Sequence, residues 1–228
     1  MFRKLLGLIG TPVPAPRTLR ATGLHSPYAQ PAANALYNLL FCDDPDAFRP
    51  RAGEAAAPWQ ATLYAADAQP ERIAALARDT SADARVRALA WGRLRALGQP
   101  VPPKLLLGVV VEVPLEGGLD TLAAFADGGV RYINQTGKVS VFEGHEDLQP
   151  LVEGLFGAAR TVVAQIGPWD RERLPAPRPG RVRLSFLVSD GLYFGDGVFT
   201  EMERDPLAGP VIAHATQLLQ RAVAIAAA

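Results

Sequence analysis

Cysteine is almost missing from this chain. Cys42 stands alone among 228 residues, so no internal disulfide can form and nothing asks for an oxidising compartment. An excess charge of either sign is missing too. The 23 basic and 23 acidic residues cancel, which removes the electrostatic pull toward nucleic acid or an anionic membrane that a basic protein has. No apolar run is long enough to span a bilayer, and the stretch Leu5, Leu6, Leu8, Ile9 is broken by Gly7 and Gly10. Acidic residues are absent from positions 1–42, where Arg3, Lys4, Arg17 and Arg20 supply positive charge. That segment carries Pro12, Pro14 and Pro16 and reads as a flexible N-terminal arm over residues 1–30, with weak membrane-surface attachment as the alternative.

Catalytic signatures are equally scarce. Three histidines, His25, His145 and His214, are scattered, and no Gly-x-Ser-x-Gly elbow occurs. Thr136-Gly137-Lys138 resembles the end of a phosphate loop, but its first glycine would fall at Tyr132. Gly195-Asp196-Gly197 lacks the third glycine of a dinucleotide fingerprint. Cys42, Asp43, Asp44 and Asp46 match no calcium or zinc spacing and read as a capped turn. The chain therefore reads as non-catalytic, with no cofactor and no metal expected.

What is present is a stretch of alternating and apolar segments. LLLGVVVEV at 105–113 is apolar on both faces except for Glu112, which predicts a central strand covered on both sides. Turns at 116–118, 127–129 and 135–137 divide 105–143 into a four-strand antiparallel meander. A strongly periodic helix follows, from Leu148 to Ile166 in its apolar stripe, and then a proline-rich connection, GPWDRERLPAPRPG at 167–180. VRLSFLV and LYFG form a hairpin around Ser189-Asp190-Gly191, and Asp205-Pro206 opens a last helix. The fold class expected is α+β: an antiparallel sheet of about six strands over residues 104–228, with helices on one face.

Residues 31–98 read as a helical region. Pro31 opens a helix to Phe41, Pro70 one to Arg78, and Ser81 caps one that ends at Gly98. Residues 59–66 suit strand or helix and are assigned to helix. Arg85, Arg87, Arg93 and Arg95 lie off the apolar stripe; they read as a solvent face, with anion binding as the alternative. Gln99 to Pro103 is a stiff linker into the sheet.

Large amphipathic side chains near turns are the candidate binding residues: Tyr132, Asn134, Trp169, Asp190 and Tyr193, with Phe194 and Asp127 beside them. The blander reading is that strand alternation splits them between core and surface. If the N-terminal helices leave one sheet face partly bare, these residues would line a groove there. FADGGVRYINQTGKVSVFE at 125–143 and LSFLVSDGLYFGDG at 184–197 resemble phrases of an uncharacterised bacterial family, a resemblance that implies no activity or site. The element order is also similar to that of secretion chaperones, which bind effectors on a sheet, although their acidity is missing. The sequence thus suggests a soluble, cytoplasmic interaction module of adaptor or chaperone type with a protein partner. The alternative is a small-molecule binder or hydrolase with a cleft at the hairpin turns.

Overall fold

The computed structural model describes residues 25–51 and 53–227. The expected N-terminal arm and its membrane contact fall mostly on residues 1–24, outside the described residues. Among the described residues no helix is long and apolar enough to cross a membrane.

The architecture is α+β, with one antiparallel sheet of six strands and seven α-helices among the described residues. The strands are β1 (Leu106–Leu115), β2 (Gly118–Phe125), β3 (Val130–Ile133), β4 (Val139–Phe142), β5 (Arg181–Val188) and β6 (Gly191–Val198). Their spatial order is β4-β3-β2-β1-β5-β6, so the apolar run at 106–111 takes the interior position that its two-sided hydrophobicity predicts. Pro114 is tolerated within β1 because β5 pairs only as far as Glu112, and the missing N–H of Pro114 points toward that vacated side. A bulge at the start of β1 shifts register between Leu106 and Gly108 and turns Leu107 out of the sheet into a separate helical cluster.

Two helices, α5 (Gln149–Gln165) and α7 (Ala208–Ala226), cover one face, joined by the short α6 (Phe199–Met202) that leads into α7. Their apolar stripes meet Val109, Val111, Leu122, Leu184, Phe186 and Tyr193 in a dry core. Asp205 starts α7 by accepting hydrogen bonds from the Leu207 and Ala208 amides.

The opposite face is not bare. Residues 25–42, including α1 (Pro31–Leu39), lie over it and bury Tyr28, Ala33, Tyr37, Leu40 and Phe41 against Val110, Ala123, Phe125 and Ile133. Helices therefore cover both faces rather than one, and Tyr28 is buried on the sheet although it lies within the expected flexible arm. Beside α1, the helices α2 (Pro58–Tyr64), α3 (Pro70–Arg78) and α4 (Ala84–Ala96) form the cluster around Trp91 that receives Leu107. The cap of α4 is Asp83, not Ser81, whose hydroxyl donates to Asp79 instead. The arginines of α4 are not a uniform solvent face. Arg87 is buried with Nε on the Ala77 carbonyl, Arg95 donates to the Ser189 carbonyl, and Arg85 pairs with Asp83. The helix packs on α3 and on the start of β1, and its buried long side chains find internal acceptors.

Candidate functional site

The five candidate residues do not gather at one place. Tyr132 and Tyr193 both face the α5/α7 side, but β2, β1 and β5 stand between their strands, a separation of roughly 19 Å at normal strand spacing. Asn134 lies at the sheet end that holds the β1–β2 turn, whereas Asp190 lies at the opposite end, in the β5–β6 hairpin. Trp169 sits on the other face, its ring 4.9 Å from that of Phe194.

Each of these side chains has local work. The Asn134 side-chain oxygen Oδ1 accepts from the Thr136 and Lys138 amides and shapes the β3–β4 turn. Tyr132 donates to Asp120 at 2.9 Å, and the other Asp120 oxygen accepts from the Gln135 amide. Tyr193 donates to Asp190 at 2.9 Å. Burial and the neighbouring carboxylate push both phenols well above their ordinary value. Asp127 holds the first amide of α4. The carboxylates at 43–46 behave as a turn: Asp44 caps the short 3-10 helix Pro45–Phe48, and burial pushes the Cys42 thiol up, away from reactivity. Among the described residues no group of three or more His, Cys, Asp or Glu could hold a metal.

Beside Tyr132 an apolar hollow of about 50 Å³ opens between the sheet and α7, lined by Val113, Leu122, Phe199, Ile212 and Leu219 among others. It has room for the tip of a side chain, not for a metabolite.

The densest polar chemistry lies under α1, where register aligns Thr121, Glu112, Arg183 and Asp196 across β2, β1, β5 and β6. Tyr28 bonds Thr121 at 2.7 Å, and Tyr37 donates to Glu112 Oε1 at 2.6 Å. Arg183 reaches Asp196 at 3.0 Å and the carbonyls of Leu174 and Pro175 in the proline-rich connection. From that connection Arg173 returns to Asp43 at 2.6 Å and to Asn38 at 2.9 Å, lying over the Phe41 ring at 4.0 Å. Asp43, Glu112 and Asp196 thus meet Arg173, Arg181 and Arg183, and the cluster is neutral when all are ionised.

Glu112 is 0% exposed, and burial pushes its carboxyl above the usual range against the opposing pull of Tyr37, Arg183 and Arg173. Its Oε2 has no hydrogen-bond partner among the described residues, and Arg183 Nη1 lies 4.0 Å away. The arrangement clamps residues 25–43 and 167–180 onto the sheet. In the sequence Glu112 stands out only as an exception in an apolar strand. That exception was the available signal, because a carboxylate at an interior strand position must be matched from neighbouring strands or from a covering segment.

The remaining unusual feature is the outer strand. Among the described residues β4 pairs with β3 alone, and its Val139 and Val141 are 37% and 52% exposed on the α1 side of the sheet. The Asn134 amide donates to the Lys138 carbonyl, so by antiparallel alternation Ser140 and Phe142 bond inward to β3. The N–H and C=O groups of Val139 and Val141 point outward.

No protein-family model and no curated protein matches the chain.

Proposed function

We propose that the protein is a non-enzymatic interaction module that binds a protein partner along the β4 edge. The observation that carries this reading is the conjunction on one short strand of two exposed valines and an outward row of backbone donors and acceptors. An extended segment of a partner gains main-chain hydrogen bonds from such an edge and specificity from the alternating side chains. The covered face argues for edge docking instead of the face docking that the sequence suggested, since Val110, Ala123 and Phe125 already have partners in residues 25–42. The proline-rich connection belongs to the rigid support: Arg173 and the Leu174 and Pro175 carbonyls hold it to the sheet. Balanced charge favours a protein over a nucleic-acid partner, and a bacterial, cytoplasmic setting is part of the same proposal, supported by composition.

Selection of displayed peptides against the protein, followed by hydrogen–deuterium exchange of the complex, tests the proposal. The expected ligands alternate apolar and polar residues and slow exchange of the Val139 and Val141 amides. A selection that yields no ligand, or ligands that protect only other regions, overturns it.

A further inference from the structure

We infer that the partner strand is β4 of a second copy, paired antiparallel about a two-fold axis at Ser140; this rests on the docking-edge reading above. In an antiparallel pair the residues directly opposite share a sheet face, and those exchanging hydrogen bonds must both point their backbone groups outward. On β4 those residues are Val139 and Val141. Registers centred on Val139 or on Val141 also meet both conditions but set the other valine against Gly137 or Glu143; the register that pairs every exposed valine sets Val139 against Val141 of the second copy and, by symmetry, Val141 against Val139. Each exposed valine then covers the other copy's, and Ser140 faces itself at the axis as a non-hydrogen-bonded pair.

Charge follows the same symmetry. Lys138 precedes the strand and Glu146 follows it, so the antiparallel arrangement carries the Lys138 ammonium toward Glu146 of the second copy, while Glu143 stays paired with Arg131 of its own chain. Closure favours a second copy over a growing fibre. The far edge, β6, is blunted by Trp169, whose amide donates to the Leu192 carbonyl at 2.7 Å, and by Asp196, which takes both Arg181 and Arg183. With β6 hindered at its Leu192 end and charged at Asp196, β4-to-β4 pairing among the described residues gives a finite sheet of two joined halves. A contact built on one short strand falls below the area of a stable complex, so the expected association is weak, with a dissociation constant of about 10 μM or higher.

The test uses the full chain. Sedimentation velocity up to about 1 mM protein is expected to show a monomer passing into a dimer, and Val141→Lys is expected to weaken it at least about tenfold. The register is read by cysteine pairing under mild oxidation, with the wild type as control for Cys42. Ser140→Cys is expected to cross-link with itself, because opposed non-hydrogen-bonded residues lie within disulfide reach. Val139→Cys alone is not expected to cross-link, since its own symmetry mate is two residues along the strand, but a mixture of Val139→Cys and Val141→Cys is. A chain that stays monomeric at the highest concentration overturns the inference, and so does a dimer indifferent to Val141→Lys or one in which Ser140→Cys fails to cross-link. If the chain is monomeric while selected peptides still protect Val139 and Val141, the second copy is excluded and the docking-edge reading stands. Loss of peptide protection as well removes both.

Discussion

The two edges of the sheet are treated differently, although both strands are amphipathic and both end at tight turns. At β6 the chain returns: Trp169 bridges to Leu192, stacks edge-on against Phe194, and is followed by Arg173, which locks the connection to Asp43 and Asn38. At β4 nothing among the described residues returns, and the valines stay exposed. An unpaired edge is a hazard that proteins usually blunt by shortness, charge or cover. β6 has the cover and the charge; β4 has shortness and Lys138 alone. The difference suggests that the β4 edge is kept available, while the rest of the chain is committed to holding the sheet rigid behind it.

The largest effect is expected from breaking the closed side. Arg173→Ala leaves Asp43 without its buried cation and should cost about 3–5 kcal/mol in chemical denaturation. It should also raise proteolysis within residues 25–43, which the arginine ties down. Trp169→Ala removes the indole that packs on Phe194 and donates to the Glu172 carbonyl, and should cost less, about 1–3 kcal/mol, since the ring is only half-buried. Trp169→Pro, which removes the amide that donates to the Leu192 carbonyl, opens that end of β6, and light scattering should then reveal open-ended association instead of a finite dimer.

Glu112 sharpens the comparison from between the edges. Its folded-state pKa is raised by burial, so the folded protein binds the proton more readily than the unfolded chain. Stability is then fullest below the carboxyl's ordinary value of 4.5 and falls as pH rises from there through the folded-state pKa. Glu112→Gln should abolish that slope in thermal melts recorded against pH. The smallest effect belongs to the open side. Val141→Lys should alter stability by no more than about 0.5 kcal/mol, because the side chain it replaces is half in water.

Much of the fold was legible in the sequence because periodicity carries it. The apolar run before Glu112, the glycine-bearing turns and the stripe of α5 each specify an element and the face it buries. Which segment covers which face was not legible. Val110 and Val111 are equally hydrophobic, and only the tertiary structure reveals that one meets Tyr37's cluster and the other the α5/α7 core. The candidate residues share amphipathic chemistry near turns, and turns alternate between the two ends of a meander, so likeness in type does not bring them together in space. Arg173 and Asp43 are 130 residues apart, so no local pattern announces their pairing. The edge status of β4 was likewise hidden, since KVSVFE reads the same whether or not a further strand follows it.

The most direct test of the account is amide exchange at Val139 and Val141, measured in dilute and in concentrated protein, with the Trp169 amide as internal reference. Fast exchange is expected at both valines in dilute solution, with slow exchange at Trp169 throughout and slowing of the valines as concentration rises. Valine amides already protected in the dilute monomer would mean that the chain covers its own β4 edge, which contradicts the account.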